Sequence, residues 1–384
     1  MYCEYEKKTM PLLHLPLPSL AFLDVKFESP HSFQDSLASF PKFSPKLRRF
    51  FIRMPQLKDT FSKIGPNYIC RWRNLCSLIC PQVALDLNAL AHLTQMPALT
   101  RLTFALSNTL PASDSPHLFS NLHELTLHSK SLDPISRLFS QTRLPVITKI
   151  IAHIDNSPSK QEFASFFASI PPSNADHTIK SLQLTQTIPM GVILAPDSEP
   201  PLLGLEDLRP CMVFGDLRHM ELNIKCHIGL TDSQLLTLAS AWPKLEVLLI
   251  NAEWGWDSLR GITLDGLVRL LQSCRSLRGF ALALDTQGYT EWRPSQAPAS
   301  LGLTFPPGFS IDVVDSIIAP ESVSAVATFF SGIATCVESG FCFRAWDGTP
   351  MARFEGSEGF IERWEDVSRQ LDDAMGGSSD SDGW

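Results

Sequence analysis

One short pattern returns along this chain and limits what it can fold into. In AWPKLEVLLI (241–250) an apolar triad sits at Leu245, Leu248 and Ile250, spaced apolar-x-x-apolar-x-apolar. Near-copies are PSLAFLDV (18–25), PKLRRFFI (45–52), RNLCSLIC (73–80), PALTRLTF (97–104), SNLHELTL (120–127), PVITKIIA (145–152), TIKSLQL (178–184), GDLRHMEL (215–222) and RSLRGFAL (275–282). Their first anchors are Leu20, Leu47, Leu75, Leu99, Leu122, Ile147, Ile179, Leu217, Leu245 and Leu277, separated by 27, 28, 24, 23, 25, 32, 38, 28 and 32 residues. Self-similarity at such a period signals stacked units in place of independent globular domains.

Between the copies lie segments with apolar residues three and four apart, the spacing of an amphipathic helix. They are LNALAHLTQM (87–96), PISRLFSQT (134–142), KQEFASFFASI (160–170), TDSQLLTLASAW (231–242) and TLDGLVRLLQSC (263–274). Ser159 with Glu162 and Thr231 with Gln234 have capping-box spacing. Asp133 and Pro134 read as an N-cap followed by a first-turn proline. A proline ahead of several triads stops the helix and extends the residue before it. Each unit is therefore one helix, one break and one short strand. A single such unit cannot bury its apolar face, but a stack can. The expected architecture is an α/β solenoid: a curved array with a parallel sheet on its concave side and helices on its convex side.

This pattern resembles the leucine-rich repeat. An Asn or Cys three positions after the last anchor is the repeat's sharpest mark; here those positions hold Ser107, Lys130, Glu253 and Asp285. The resemblance is therefore to the long, irregular subtype with helical convex sides. The stretches TDSQLLTLASAWPKLEVLLIN, ITLDGLVRLLQSCRSLRGFALALD and SIDVVDSIIAPESVSAVATFFSGI are similar to the C-terminal half of fungal F-box proteins with leucine-rich repeats. That resemblance covers the repeats alone, because no Leu-Pro-x-Glu-like F-box opening is found. It implies capture of a protein substrate on the concave face for a ubiquitin ligase, with a Skp1-like adaptor as partner where an F-box precedes the repeats. The alternative is a stand-alone repeat protein that scaffolds or regulates other proteins. Localisation follows as cytoplasmic, nuclear or both.

The expected organisation is a lead-in over 1–17, the repeat array over 18–285 and a Pro/Gly-rich connector over 286–309. An atypical capping unit over 310–350 and an acidic, largely disordered tail over 351–384 complete it. The cap reads as strand 310–316, helix 320–336 and strand 341–346. The longest insertion, 186–214, reads as a loop with a short helix near Leu205–Arg209.

Composition narrows the function. Hydrophobic residues make up 44% and charged residues 19% of 384 positions, enough for a large core and unlike a disordered chain. A net charge of −8 argues against a general nucleic-acid binder, which needs clustered Lys and Arg. The apolar run Pro11–Leu23 is broken by three prolines and a histidine and is too short to span a membrane. Nine cysteines occur without a CxxC pair, the pattern of free thiols in a reducing compartment.

No nucleophile elbow, phosphate loop or dinucleotide fingerprint is present. The nearest approach to a chemical motif is HELTLH, His123–His128. A zinc-binding helix needs histidines four apart on one face; these are five apart and fall on a repeat strand, where they point to opposite sides. The expectation is no enzyme, no cofactor and no metal site.

Candidate partner-binding residues are those the motif leaves free on the concave face, since strand side chains alternate. They are Arg101, Glu124, Thr126, His128, Lys149, Gln183, His219, Glu221, Val247, Leu249 and Asn251. Thr103, His153, Ser181, Thr185, Asn223, Gly279 and Ala281 share those positions. Trp242 should be core. Trp254 and Trp256 follow a strand in a loop, where an exposed indole suits a protein-binding hot spot; one of the two is expected to be exposed.

Overall fold

The computed structural model describes residues 2–4, 20–26, 46–53, 62–64, 73–107, 116–170, 178–187, 200–256, 261–291, 301–345 and 358–375. The chain divides into two units, Met1–Ile193 and Leu194–Trp384.

In the first unit the strands are β1 (Tyr2–Glu4), β2 (Phe22–Lys26), β3 (Arg49–Arg53), β4 (Ser62–Ile64), β5 (Ser77–Leu85), β6 (Arg101–Ala105), β7 (His117–Leu118), β8 (Glu124–Ser129), β9 (Thr142–Arg143), β10 (Lys149–Ile154) and β11 (Ser181–Gln186). The main sheet runs β1-β2-β3-β5-β6-β8-β10-β11, with β4 on β5 and every pairing parallel. Helices α1 (Leu87–Thr94), α2 (Leu132–Ser140) and α3 (Lys160–Ser169) carry the chain between strands, and β7 pairs with β9 as a second, two-stranded sheet.

The second unit holds β12 (Leu202–Leu203), β13 (His219–Asn223), β14 (His227–Ile228), β15 (Val247–Ile250), β16 (Gly279–Ala281), β17 (Ser310–Asp312) and β18 (Cys342–Arg344). Its main sheet is β13-β15-β16-β17-β18, again parallel, and β12 pairs with β14. Its helices are α4 (Leu205–Leu208), α5 (Asp232–Ala241), α6 (Leu264–Ser273), α7 (Val323–Ala334) and α8 (Glu358–Ala374).

The register explains the sequence pattern. Each second anchor pairs with the second anchor of its neighbours. In the first unit the row is Leu23, Phe50, Leu78, Leu102, Leu125, Ile150 and Leu182; in the second it is Met220, Leu248 and Phe280. These side chains are at most 2% exposed. The third anchors, from Val25 through Leu184 and from Leu222 through Leu282, form a second buried row, and of the first anchors only Leu20 is half-buried. Burying a Leu- or Ile-sized side chain contributes about 1.5–3 kcal/mol, so each added triad extends one continuous apolar column. A backbone ladder runs alongside: the N–H of Cys76 donates to Arg48, Thr100 to Cys76, His123 to Thr100, Thr148 to His123 and Lys180 to Thr148. Each unit is thus a stretch of leucine-rich-repeat α/β solenoid, the architecture the triads predict.

The helices follow their predicted segments. Ser159 and Glu162 close a capping box at α3, and Thr231 and Gln234 close one at α5. The start of α2 differs: Ser131 is its N-cap, and Asp133 and Pro134 lie inside the first turn. A proline there loses nothing, because first-turn N–H groups have no partner in the helix. The insertion carries α4 followed by a 3₁₀ turn at Arg209–Val213; residues 188–199 of it lie outside the described residues.

The tail departs from expectation. Residues predicted to be part of a largely disordered tail form the 17-residue helix α8, which packs on α7. Trp364, Val367 and Leu371 are buried along one side of it, and the Trp364 indole N–H donates to the Ser316 carbonyl at 2.9 Å. Acidic side chains give this segment a disordered composition, but its apolar residues recur at three and four and cover the end of the core. A terminal repeat has no neighbour to do so.

Candidate interaction surface

The sheet face turned away from the helices carries the positions between the anchors. In the first unit β8, β10 and β11 are each six residues long and alternate without exception, half-exposed then buried. Cross-strand rows therefore stand on this face: Arg101, Glu124, Lys149 and Ser181; then Thr103, Thr126, Ile151 and Gln183; then Ala105, His128, His153 and Thr185. Arg101, Glu124, Thr126, His128, Lys149 and Gln183 stand where the alternation predicts. Thr103 and Ala105, 7% and 0% exposed, are the buried members of these rows.

Two interactions organise the rows. The Arg101 guanidinium donates from Nε to Glu124 Oε2 at 2.5 Å and from Nη2 to Oε1 at 2.9 Å. That fork is the strong geometry for a guanidinium and a carboxylate. Its hydrogen bonds hold the Glu124 carboxyl below the usual carboxylate range and raise the Arg101 guanidinium. Beside it the His128 and His153 rings stack with centroids 4.5 Å apart, and His153 Nδ1 lies 2.6 Å from Thr185 Oγ1. Burial, then the neighbouring His153, lowers the His128 pKa to about 4, so its imidazole is neutral at pH 7. Of the HELTLH stretch only Glu124–His128 lie in strand β8, so its two histidines separate. His128 stands on the open face, whereas His123 lies exposed in the preceding turn, its Nδ1 2.8 Å from the Asn121 carbonyl.

In the second unit the open face carries His219, Glu221, Val247 and Leu249, all half-exposed as predicted. His219 Nε2 lies 3.3 Å from Glu221 Oε2. Leu249 stands beside Glu221, giving the patch one apolar and one acidic flank.

Several predictions for this unit fail together, at Asn223, Asn251, Trp254, Trp256, Gly279 and Ala281. Asn251 is fully buried, not outward, and has φ +53°. Its side chain accepts from Ile224 N–H at 3.1 Å and donates to the Cys226 carbonyl at 3.1 Å and the Gly255 carbonyl at 3.0 Å. The left-handed backbone at Asn251 ends the alternation of β15 and turns the chain inward. Asn is among the few residues that accept that conformation readily. Trp254 and Trp256 follow it in: they are 5% and 0% exposed, so neither is the surface indole expected. The Trp256 side chain donates to Ile250 at 2.8 Å, and its backbone N–H donates to the Asp315 carboxylate at 2.8 and 2.9 Å. Trp242 is core as predicted, with its indole donating to Cys211. Gly279 and Ala281 are buried as well. A Cβ on Gly279 would meet Ser310 Oγ at 2.2 Å, and Ala281 sits low between Leu249 and Asp312.

Asn251 performs the task for which an Asn three places past the last anchor was sought: a buried amide that bonds turn backbone. It stands one place past the anchor. Asn223, its register equivalent in β13, does likewise, accepting from Glu253 N–H at 3.1 Å. An Asn directly after a strand, with Gly255 four residues on at φ +78°, is a turn signal readable from sequence.

No family model matches this sequence, and no curated protein does. Solved structures with similar chain traces include a protein of Bacteroides fragilis, at 15% identity over 79% of this chain and 68% of that one, with a TM-score of 0.31. TLR13, in its complex with ssRNA13, shares 13% identity over 85% of this chain, with a TM-score of 0.41; this chain spans 42% of its length. An internalin of Listeria monocytogenes shares 13% identity over 71% of this chain and 77% of that one, with a TM-score of 0.31.

Proposed function

We propose that this protein recognises other proteins through the open faces of its sheets, as the substrate-receptor part of an F-box-type ubiquitin ligase. The supporting observation is the strict alternation of β8, β10 and β11. The buried half of each strand makes the core, while the other half presents ordered rows of polar side chains that the core does not use. Repeat arrays offer such a face as an extended binding surface. The ligase role rests on the likeness of the C-terminal repeats to fungal F-box proteins. A cytoplasmic or nuclear location goes with it, supported by free Cys80, Cys211, Cys226 and Cys274, whose thiols are pushed up by burial.

Affinity purification of the full chain tests this reading. A protein partner should co-purify, together with Skp1 where an F-box accompanies the repeats. Partner capture should fall when Val247 and Leu249 are changed to Asp, or when Arg49 and Lys149 are changed to Glu. A partner without Skp1 would move the function to a stand-alone scaffold. Capture unchanged by both pairs of substitutions would overturn recognition through the open faces.

A further inference from the structure

The open face of the first unit differs in charge from the chain that carries it. Its outward positions on β2, β3, β6, β8 and β10 hold five cations, Lys26, Arg49, Arg53, Arg101 and Lys149, against the carboxylates of Asp24 and Glu124. The protein as a whole has a formal charge of −8. Both carboxylates are already matched, Asp24 by Arg53 at 2.6 Å and Glu124 by Arg101. Over these five strands the outward positions therefore carry a net positive formal charge. Arg49 is exposed in a row between Phe22 and Ser77, with no acidic residue on either side. Phe22 is 38% exposed and meets the half-buried Phe51 edge to face at 5.5 Å.

The register sets a spacing. Arg49, Arg101 and Lys149 occupy one row on the first, third and fifth of five adjacent strands. Strands lie about 4.8 Å apart, so these cations stand roughly 10 Å from one another. Three residues of extended chain span about the same distance.

We propose that this face binds an acidic, extended segment of a partner protein, with carboxylates about three residues apart lying over Arg49, Arg101 and Lys149 and an aromatic residue lying against Phe22. The inference rests on the recognition reading above and gives the partner its chemistry. A peptide is favoured over a nucleic acid because Glu124 stands in this row between Arg101 and Lys149: a peptide with carboxylates three residues apart leaves uncharged residues over it, whereas a phosphate backbone carries a charge at every nucleotide.

The test uses the full chain and fluorescence anisotropy. The probe is a short fluorescein-labelled peptide with glutamate at every third position and one phenylalanine; its glutamine analogue is the comparison. The glutamate peptide should bind at least about tenfold more tightly, a difference that shrinks with added salt. Arg49→Glu with Lys149→Glu should abolish the difference, while Arg369→Glu with Arg209→Glu, an equal change of charge at two exposed positions of the second unit, should leave it intact. Thermal unfolding of the variants confirms that folding survives. Equal binding of the two peptides overturns the proposal, as does equal loss in the Arg369→Glu/Arg209→Glu variant. Tighter, Arg49-dependent binding of a poly(U) oligonucleotide overturns it in favour of nucleic acid. Continued capture of a protein partner by the Arg49/Lys149 variant, together with loss in the Val247/Leu249 variant, would overturn the acidic-segment inference while leaving protein recognition standing.

Discussion

The open faces of the two units obey the same register and look different. In the first unit three consecutive six-residue strands present Glu124, Thr126 and His128, then Lys149, Ile151 and His153, then Ser181, Gln183 and Thr185, all half-exposed. In the second, β13, β15 and β16 shorten to five, four and three residues. Their outward positions pass from His219 and Glu221 through Val247 and Leu249 to the buried Gly279 and Ala281. The third outward row is lost, because Asn223 and Asn251 turn their amides inward. Strand length, not residue chemistry alone, decides how much surface a repeat offers. One left-handed residue is enough to convert a surface position into a structural one.

The largest effect should come from breaking that conversion. Asn251→Ala orphans Ile224 N–H and two carbonyls in the core and leaves φ +53° to a residue that resists it. A loss of about 3–4 kcal/mol in urea unfolding is expected. The positional equivalent in β11, Thr185→Ala, should cost under about 1 kcal/mol. Similar costs at the two sites would erase the distinction.

Next in size is a pH dependence confined to the first unit. The His128 pKa is about 4 in the folded protein, below the ordinary 6.5. Between these values the unfolded chain takes up a proton that the folded chain refuses. Stability is therefore full above pH 6.5 and falls as the pH drops toward 4. The loss should reach about 2 kcal/mol after discounting for solvent screening, and His128→Asn should remove that part of the slope in thermal melts at pH 4.5 and 7.

Gly279→Ala sharpens the contrast on the second unit's face. The new methyl must displace the Ser310 side chain, at a cost of about 1 kcal/mol, whereas Ser181→Ala in the equivalent row of the first unit should be neutral. The smallest effect belongs to Glu124→Gln. Its pairing with Arg101 is half-exposed, so stability should fall by about 0.5 kcal/mol and less in high salt, read from the same denaturant titration.

The core was legible in the sequence because three anchors per copy must be apolar wherever the copy occurs. Leu125 and Leu127, or Leu248 and Ile250, announce themselves by spacing alone. The open face was legible where strands were long: β8, β10 and β11 give alternation room to repeat. It failed at Asn251, Trp254 and Trp256, because alternation predicts direction only while the backbone stays extended. What ended β15 was the dihedral angle of one residue, supported by partners on the neighbouring repeat at Ile224 and Cys226. Helix α8 was hidden for a different reason. Its acidic residues dominate the composition, while the three side chains that seat it, Trp364, Val367 and Leu371, occupy a narrow stripe.

The in-register parallel pairing has a consequence for how such a chain can change over time. In β8, β10 and β11 odd and even strand positions keep their roles from one repeat to the next, so the same few residues carry two independent messages. One message is the same in every copy and is written in Leu, Ile, Phe and Met. The other can be rewritten one point at a time, as at Glu124, Lys149 and Ser181, with little effect on its neighbours. Units of very different length, with 23 to 38 residues between successive first anchors, fit together without shifting that grammar.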